Sequence, residues 1–460
     1  MAAEPVERPN IVFILADDLG WGDLGCYGHS ITKTPNLDKL AASGTLFTNF
    51  YVNASVCSPS RCAFFTGQYP ARHKIHGHYA TPEQNAARGM SQFLPPDAPN
   101  IARLLKTKGY ATAHVGKWHL GSNSGGPEPS AYGFDFVGTG EKEGANGPKG
   151  DPYFRARSTE LFVNESLKFI EEHRDGPFYL QLWTLLPHAT LNPTEEQLKK
   201  YANLGPGNKE VPFHSAQQIF SASVTDLDTH LGRLIDGLEK LGLREKTLIF
   251  FSSDNGPEDI HIRNAGHSGV GSAGPFRGRK RSLYEGGVRV PGIVSWPGQV
   301  PAGRVDNDAI VSGVDLLPTA CRLAGVDIPA EPKLDGESVV DILRGAKRDR
   351  TTPLYWEWRF NIAGEPFHRS PILAMRLGPW KLLMNPDGSR VEFYNLTDDP
   401  TQLNNIAEHQ EYLVQQMSEK LLAWQKELPA GPIEPSAGKM NYPWPGTAKQ
   451  PARGKPKQLE

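Results

Sequence analysis

Asn10-Ile-Val-Phe-Ile-Leu-Ala16, followed at once by Asp17-Asp18, is the stretch on which the fold turns. An unbroken apolar run of this kind belongs to a strand buried on both faces of a parallel sheet. It ends on two adjacent carboxylates, and the same ending recurs downstream. Ala111 to Val115 runs into Gly116-Lys117-Trp118-His119, and Pro177 to Trp183 delivers Pro187-His188. Thr247 to Ser252 feeds Asp254-Asn255-Gly256. In open α/β sheets ligands bind beyond the carboxyl ends of the strands, so four such endings imply one shared site.

Helices are expected between these strands. One should start at Thr34 as N-cap with Pro35 in its first turn, place Leu37, Leu40 and Ala41 inward, and stop at Gly44. A second spans about 100–108, and a long amphipathic one carries Leu227, Leu231, Leu234, Ile235 and Leu238 at helical spacing. Val290 to Trp296 reads as one more strand. This alternation predicts an α/β catalytic domain over 1–345, a doubly wound, mixed and mostly parallel sheet sandwiched by helices. Short strands at Leu354 to Trp358, Ile372 to Leu377, Trp380 to Met384 and Glu392 to Leu396 precede a helix near 408–428. They predict a smaller α+β domain over 346–430 with a short antiparallel sheet. From 431 to 460 Pro, Gly and Lys dominate, the composition of an extended or disordered tail.

Composition narrows the function. Lys plus Arg number 49 against 51 Asp plus Glu, a net of -2, which gives no footing for nucleic-acid binding. An anionic substrate therefore needs a local cluster of cations. No stretch approaches the roughly 20 apolar residues of a membrane span. The first residues contain no apolar signal-peptide core, which fits either a cytoplasmic protein or one whose leader has been removed. Four cysteines make no disulfide framework, and no second Cys/His pair at zinc spacing accompanies Cys57 and Cys62.

Each chemical candidate has a bland reading beside it. Asp17-Asp18 suits a helix cap and Asp254-Asn255-Gly256 a turn, yet together they supply three carboxylates and an amide oxygen, hard ligands for Ca²⁺ or Mg²⁺. Lys117 with His119, and Arg277-Gly-Arg279-Lys280-Arg281, suit ordinary surface charge. The flanking glycines favour instead close approach of backbone to a ligand, with Lys, Arg and His aimed at a tetrahedral oxyanion. Cys57-Ser58-Pro59-Ser60-Arg61 opens a probable short helix, whose positive end would lower the thiol's pKa; a buried structural cysteine is the alternative. His73, His76, His78 and Tyr79 are candidates for pocket walls or sugar contacts, with structural roles equally open.

Taken in order, Cys57-x-Pro-x-Arg61 with Thr66-Gly67, then Gly116-Lys-Trp-His-Leu-Gly121, Asp254-Asn-Gly, and Lys280 before Glu285-Gly-Gly-Val-Arg-Val-Pro291 resemble the type I, formylglycine-dependent sulfatases of the alkaline phosphatase superfamily. The likeness runs from about Asn10 to Ala407 and includes Phe393-Tyr-Asn-Leu-Thr-Asp-Asp-Pro400. Trp21-Gly-Asp-Leu-Gly25 looks most like the arylsulfatase A and N-acetylgalactosamine-6-sulfatase branch.

That resemblance implies a sulfuric ester hydrolase in which a maturation enzyme converts Cys57 to formylglycine, hydrated to a diol. One Ca²⁺ would be held by Asp17, Asp18, Asp254 and Asn255 together with the modified Cys57. Arg61, Lys117, His119, His188 and Lys280 would hold the sulfate and the hydrate. A diol oxygen attacks sulfur, His188 protonates the leaving alcohol, and His119 takes the proton whose loss expels sulfate. Ala189-Thr190 departs from the family pattern, where a proline closely follows that histidine. The implied substrate is a sulfated sugar of galactose or N-acetylgalactosamine type, from a glycosaminoglycan or algal polysaccharide, and the implied location is periplasmic or extracellular. The nearest alternative is a phosphonate monoester or phosphodiester hydrolase of the same superfamily.

Overall fold

In the computed structural model, which describes residues 8–121, 125–138, 151–205, 214–262, 265–328 and 330–444, the opening run forms β1 (Asn10–Ala16), buried at every position. It is joined by β2 (Thr45–Tyr51), β3 (Ala111–Gly116), β4 (Phe136–Val137), β5 (Phe178–Trp183) and β6 (Thr247–Ser253). Strands β7 (Arg289–Ser295), β8 (Arg304–Asp306) and β9 (Val311–Ser312) complete a nine-stranded sheet. Its order is β4-β3-β5-β1-β6-β7-β2-β8, with β9 paired to β2. Strand β1 lies parallel to both β5 and β6, and its side chains alternate between two cores. Ile11, Phe13 and Leu15 pack with helices Cys57–Thr66, Ile101–Lys106 and Leu316–Ala324. Val12, Ile14 and Ala16 pack with helices Pro35–Ala42, Phe154–Glu172 and Ala216–Lys240. The sheet is thus covered on both faces, which is why its central strands read as continuous apolar runs.

Strand β7 runs antiparallel to β6 and to β2. Two reversals restore the direction, so β2 points the same way as β1, β3, β5 and β6, and all five deliver their following residues to one edge. Strand β2 escapes pattern reading because Thr48 and Asn49 interrupt it where its register with β7 shifts between Phe47 and Phe50. At Thr34 the structure departs from the expected side-chain cap: its hydroxyl accepts from the Gly25 amide at 2.8 Å and donates to Asp38 at 3.0 Å. A longer-range demand on the hydroxyl outweighs the local one.

A second, antiparallel sheet follows in the order β10 (Leu354–Glu357), β11 (Leu373–Leu377), β12 (Trp380–Met384) and β13 (Glu392–Asn395). Helix Glu411–Lys426 covers it with Met417, Leu421 and Trp424. Residues 431–444 carry neither helix nor strand. They are tied back where Arg369 donates to the carbonyls of Met440 and Tyr442, both at 2.7 Å. The rest of the expected tail, 445–460, lies outside the described residues. Among the described residues no helix is long and apolar enough to cross a membrane.

One buried knot joins the two sheets. Glu285 accepts from Lys381 Nζ at 2.7 Å, from Tyr51 Oη at 2.5 Å and from Arg289 Nη1 at 3.3 Å, while Arg376 touches the same tyrosine hydroxyl. Burial opposes ionisation of Glu285, but Lys381, Arg289 and Arg376 outweigh it and hold the carboxyl down at about 2. An unfolded glutamate titrates near ~4.3, so the stabilisation is complete above that pH and fades as pH falls towards 2. Glu285→Gln is expected to cost about 3–5 kcal/mol in urea denaturation at neutral pH, because Lys381 is left buried without its charge partner. The gap from wild type should close progressively below about pH 4.3. A gap that stayed constant down to pH 2 would show that the carboxylate charge is not what stabilises.

Candidate active site

Register sets the site. Ala16 pairs with Ser253, so Asp17-Asp18 and Asp254-Asn255 leave the sheet side by side. The Asp18 amide donates to Asp254 Oδ1 at 3.1 Å, and Asn255 Nδ2 donates to Asp18 Oδ1 at 2.7 Å. Asp18 holds a left-handed φ of 66°, uncommon for a residue with a side chain and held here by those bonds. Asp17, Asp18, Asp254 and Asn255 are all at most 1% exposed.

Three cations face them from three segments. Arg61 is fully buried and donates to Asp254 Oδ2 through Nε at 3.0 Å and Nη2 at 2.6 Å. Lys117 Nζ reaches Asp17 Oδ2 at 2.7 Å, and Lys280 Nζ reaches both oxygens of Asp18 at 2.6 and 2.8 Å. Cys57, 3% exposed, opens helix Cys57–Thr66 one turn before Arg61, the residue that binds Asp254. Burial and neighbouring Asp17 push the Asp254 carboxyl up to about 8, against Arg61. For Asp17, Lys117, His188 and Arg61 overcome burial and hold the carboxyl low.

The two expected imidazoles are present and oriented. His188 donates from Nδ1 to the Ala189 carbonyl at 2.6 Å, which leaves Nε2, 3.7 Å from Asp18 Oδ2, as the basic nitrogen. Burial pulls its pKa down to about 4, against the pull of Asp17 and Asp18. His119 bonds the Tyr79 carbonyl through Nε2 at 3.3 Å, so Nδ1 is its basic nitrogen; burial, Lys117 and Arg61 hold it well below the usual imidazole range.

The donor set fits a hard divalent cation. Asp17 Oδ1 and Asn255 Oδ1 are buried and accept no hydrogen bond among the described residues, although Arg61 Nη2 stands 3.6 Å from Asp17 Oδ1. Leaving such acceptors unpaired costs about 1–3 kcal/mol each, and an oxygen-seeking ion removes that cost. Atoms of Asp17, Asp18 and His188 lie within 4.8 Å of one another.

Not every expectation meets here. Glycines beside the basic residues make room for protein backbone rather than for a ligand. A Cβ on Gly116 would come 1.9 Å from the Trp183 carbonyl, and one on Gly287 would come 2.0 Å from the Ser282 carbonyl. In the basic run, Arg279 spends its donors on the carbonyls of Glu258, Gly269 and Gly271, and Arg277 stacks on Tyr284 at 3.8 Å. His76 pairs with Glu357 at 3.4 Å and His73 with Gln68 at 3.0 Å, both away from the carboxylates. Tyr79 contributes its carbonyl, and His78 lines a neighbouring cavity of about 350 Å³. Sequence reading missed Glu258, which binds Arg281 at 2.5 Å and lies 3.4 Å from Lys280. Its place shortly after Asp254-Asn-Gly was the available signal. It also missed Arg88, Trp358, Phe360 and Trp444 in the cavity wall, for which no local pattern exists.

The family model described as Sulfatase matches residues 9–326, and that of the N-sulphoglucosamine sulphohydrolase C-terminal region matches 274–427. The chain is 32% identical over 415 residues to N-acetylgalactosamine-6-sulfatase of Mus musculus, covering 83% of this chain and 73% of the relative. It is 33% identical over 405 residues to arylsulfatase A of Homo sapiens, covering 83% and 76%. The crystal structure of Ps i-CgsB in complex with k-i-k-neocarrahexaose superposes with a TM-score of 0.76 at 28% identity, covering 92% of this chain and 94% of that one.

After chelation, added Ca²⁺ is expected to stabilise the fold by about 2.7 kcal/mol at a concentration one hundred times its Kd, read as a higher unfolding midpoint. Mg²⁺ should do less, and Asp17→Ala or Asn255→Ala should remove most of the shift. Equal midpoints with and without cation in a scanning calorimeter would count against an ion at these oxygens.

Proposed function

The chain belongs to the sulfatase family, and from that premise we propose that it hydrolyses a sulfate ester on a carbohydrate, using Cys57 matured to formylglycine and one Ca²⁺. The observation that carries this reading is the convergence of Arg61, Lys117 and Lys280, with Cys57 one helical turn before Arg61, on a buried carboxylate set with two oxygens that accept no hydrogen bond among the described residues. Asp17, Asp18, Asp254 and Asn255 would hold the ion, with the modified position 57 completing the set. When bound, the ion supplies positive charge for sulfuryl oxygens, and the hydrated aldehyde supplies an oxygen nucleophile.

The chain's own residues do the rest. Arg61 locks Asp254 through two donors on one oxygen, so that carboxylate cannot swing away from the nucleophile position. Lys117 has three donors, of which Asp17 takes one, leaving others for a sulfate monoanion, while Lys280, shared between Asp18 and Glu258, adds its positive charge beside it. His188 is the candidate to pass a proton to the leaving oxygen, since its Nδ1 bond to Ala189 turns Nε2 into the site. His119, fixed by the Tyr79 carbonyl, is the candidate base that takes a proton at position 57. A positive φ of 54° at His119 supports a role that the backbone is held for. We place the boundary between the catalytic unit and the C-terminal unit near residue 345, between the two sheets. A relative named N-acetylgalactosamine-6-sulfatase and a similar structure solved in complex with k-i-k-neocarrahexaose support a sulfated galactose-type sugar as substrate; export to the periplasm or the medium is our proposal for its location.

The test is sulfate release by protein co-expressed with a formylglycine-generating enzyme. The panel holds 4-O- and 6-O-sulfated galactose, N-acetylgalactosamine and glucosamine, an aryl sulfate and a phosphodiester. Cys57→Ala should abolish release, and His188→Ala should lower kcat by roughly 10²–10⁴ with little change in KM. Turnover of the phosphodiester in place of every sulfate ester would overturn the sulfatase reading in favour of a phosphodiesterase.

A further inference from the structure

Beside the reaction centre lies the cavity of about 350 Å³, within the usual range for a small-molecule site. Arg281 belongs to both, since it lines the cavity and shares Glu258 with Lys280. His78 lines the same wall, and its carbonyl accepts from Arg88 at 3.3 Å. The cavity therefore opens next to the place where the sulfate would sit.

Its lining is built for more than shape. Arg281 is neutralised by Glu258, but half-buried Arg88 makes no ion pair among the described residues. Arg88 donates one bond to the His78 carbonyl at 3.3 Å and lies 5.6 Å from the Phe360 ring centroid. Glu434, the one acid among the lining residues, is exposed, and its Oε2 accepts from the Asn361 amide at 2.6 Å. Trp358 also lines the cavity; it is 4% exposed, and its buried indole N–H has no acceptor among the described residues. Burial lowers the Arg88 pKa against the pull of exposed Glu434, and the like charge of Arg281 adds to it, a cost that a bound anion would relieve. An unpaired cation, an unsatisfied indole donor and aromatic walls together suit a sugar ring that carries negative charge.

We infer that this cavity is a saccharide subsite for a second anionic group of the substrate, with Arg88 as its receptor and Trp358 and Trp444 as contacts for the ring. The ligand chemistry is a carboxylate or an additional sulfate on the saccharide whose ester is cleaved. Arg88 is thus a specificity determinant, distinct from the cations that hold the reacting sulfate. The inference rests on the sulfatase reading above.

Two measurements test it. The first compares kcat/KM for the sulfated monosaccharide the enzyme turns over with that for the same sugar linked to a uronic acid, and with its disulfated form. Wild type should prefer at least one of the dianionic compounds, and which one identifies the source of the charge. Arg88→Gln should reduce that preference about 10–100-fold, mostly through KM, as expected for a lost hydrogen bond to a charged group. Glu434→Gln should shift the preference the other way. The second measurement titrates an unsulfated uronic-acid disaccharide against tryptophan fluorescence in wild type and Arg88→Gln. Saturable quenching that disappears in the variant supports the subsite even if no sulfate is ever released, which separates its fate from that of the sulfatase reading. Sulfate release with no dianionic preference, an equal loss on every substrate in Arg88→Gln, or quenching that the variant retains would each overturn it.

Discussion

Three carboxylates buried side by side at the ends of β1 and β6 are the constraint on which the rest of this structure depends. Asp17, Asp18 and Asp254 have essentially no contact with water. Taking a charge of that size out of water costs several kcal/mol per ion after relaxation, and like charges in contact add to it. The fold answers with Arg61, Lys117 and Lys280, carried by three segments widely separated in the chain. A single cluster thereby fixes where the Cys57 helix, the end of β3 and the loop before β7 must lie. Asp17 Oδ1, 3.6 Å from Arg61, and Asn255 Oδ1 accept no hydrogen bond from the described residues after these bonds are made, so both keep a lone pair that suits a hard cation.

Topology explains how the nucleophile position arrives at that cluster. Because β2 is related to β6 by two antiparallel pairings, its exit at Tyr51 lies on the same edge as the carboxylates, and Cys57 follows after a short loop. Cys57 and Arg61 are four residues apart on one helix and therefore share a face. The orientation that points Arg61 into Asp254 also turns position 57 towards the same group. Pro59 near the helix start costs nothing there, since the first amides have no partners within the helix.

Much of this was legible before any coordinates. The apolar runs of β1, β5 and β6 announced themselves because each is buried on both faces, and their polar endings pointed to one edge. The motif residues Cys57, Arg61, Lys117, His119, Lys280, Asp254 and Asn255 all reach the cluster, and His188 does so in spite of the altered Ala189-Thr190 segment. Legibility failed where the deciding interaction is distant in sequence. Strand β2 is masked by the polar pair at its register shift. Glycines chosen for backbone packing look the same as glycines chosen for a ligand. Thr34 has the right residue type for a cap but spends its hydroxyl on Gly25 and Asp38.

The hardest part to foresee was the cavity, and the reason lies in how it is assembled. The reacting cluster comes from strand ends, loops and the Cys57–Thr66 helix around the large sheet, whereas Trp358, Phe360, Glu434 and Trp444 all come from the chain beyond residue 345. Each contributes a single side chain, so no segment bears a recognisable signature. Chemistry and recognition are therefore supplied by different parts of the chain, joined through the Arg281–Glu258–Lys280 relay on one side. On the other side the Glu285–Lys381 knot and a shared apolar core, with Trp356 and Trp358 packed among Phe50 and Phe64, hold the small sheet against the large one. A rim set on so rigid a base keeps its geometry while its few lining residues change. The carboxylate cluster has no such freedom, because altering any member leaves a buried charge unpaired. In this fold the cluster at the sheet edge is constrained by electrostatics, while the cavity draws on Arg88 and Trp444, which lie outside the apolar core, as well as on Trp358 within it.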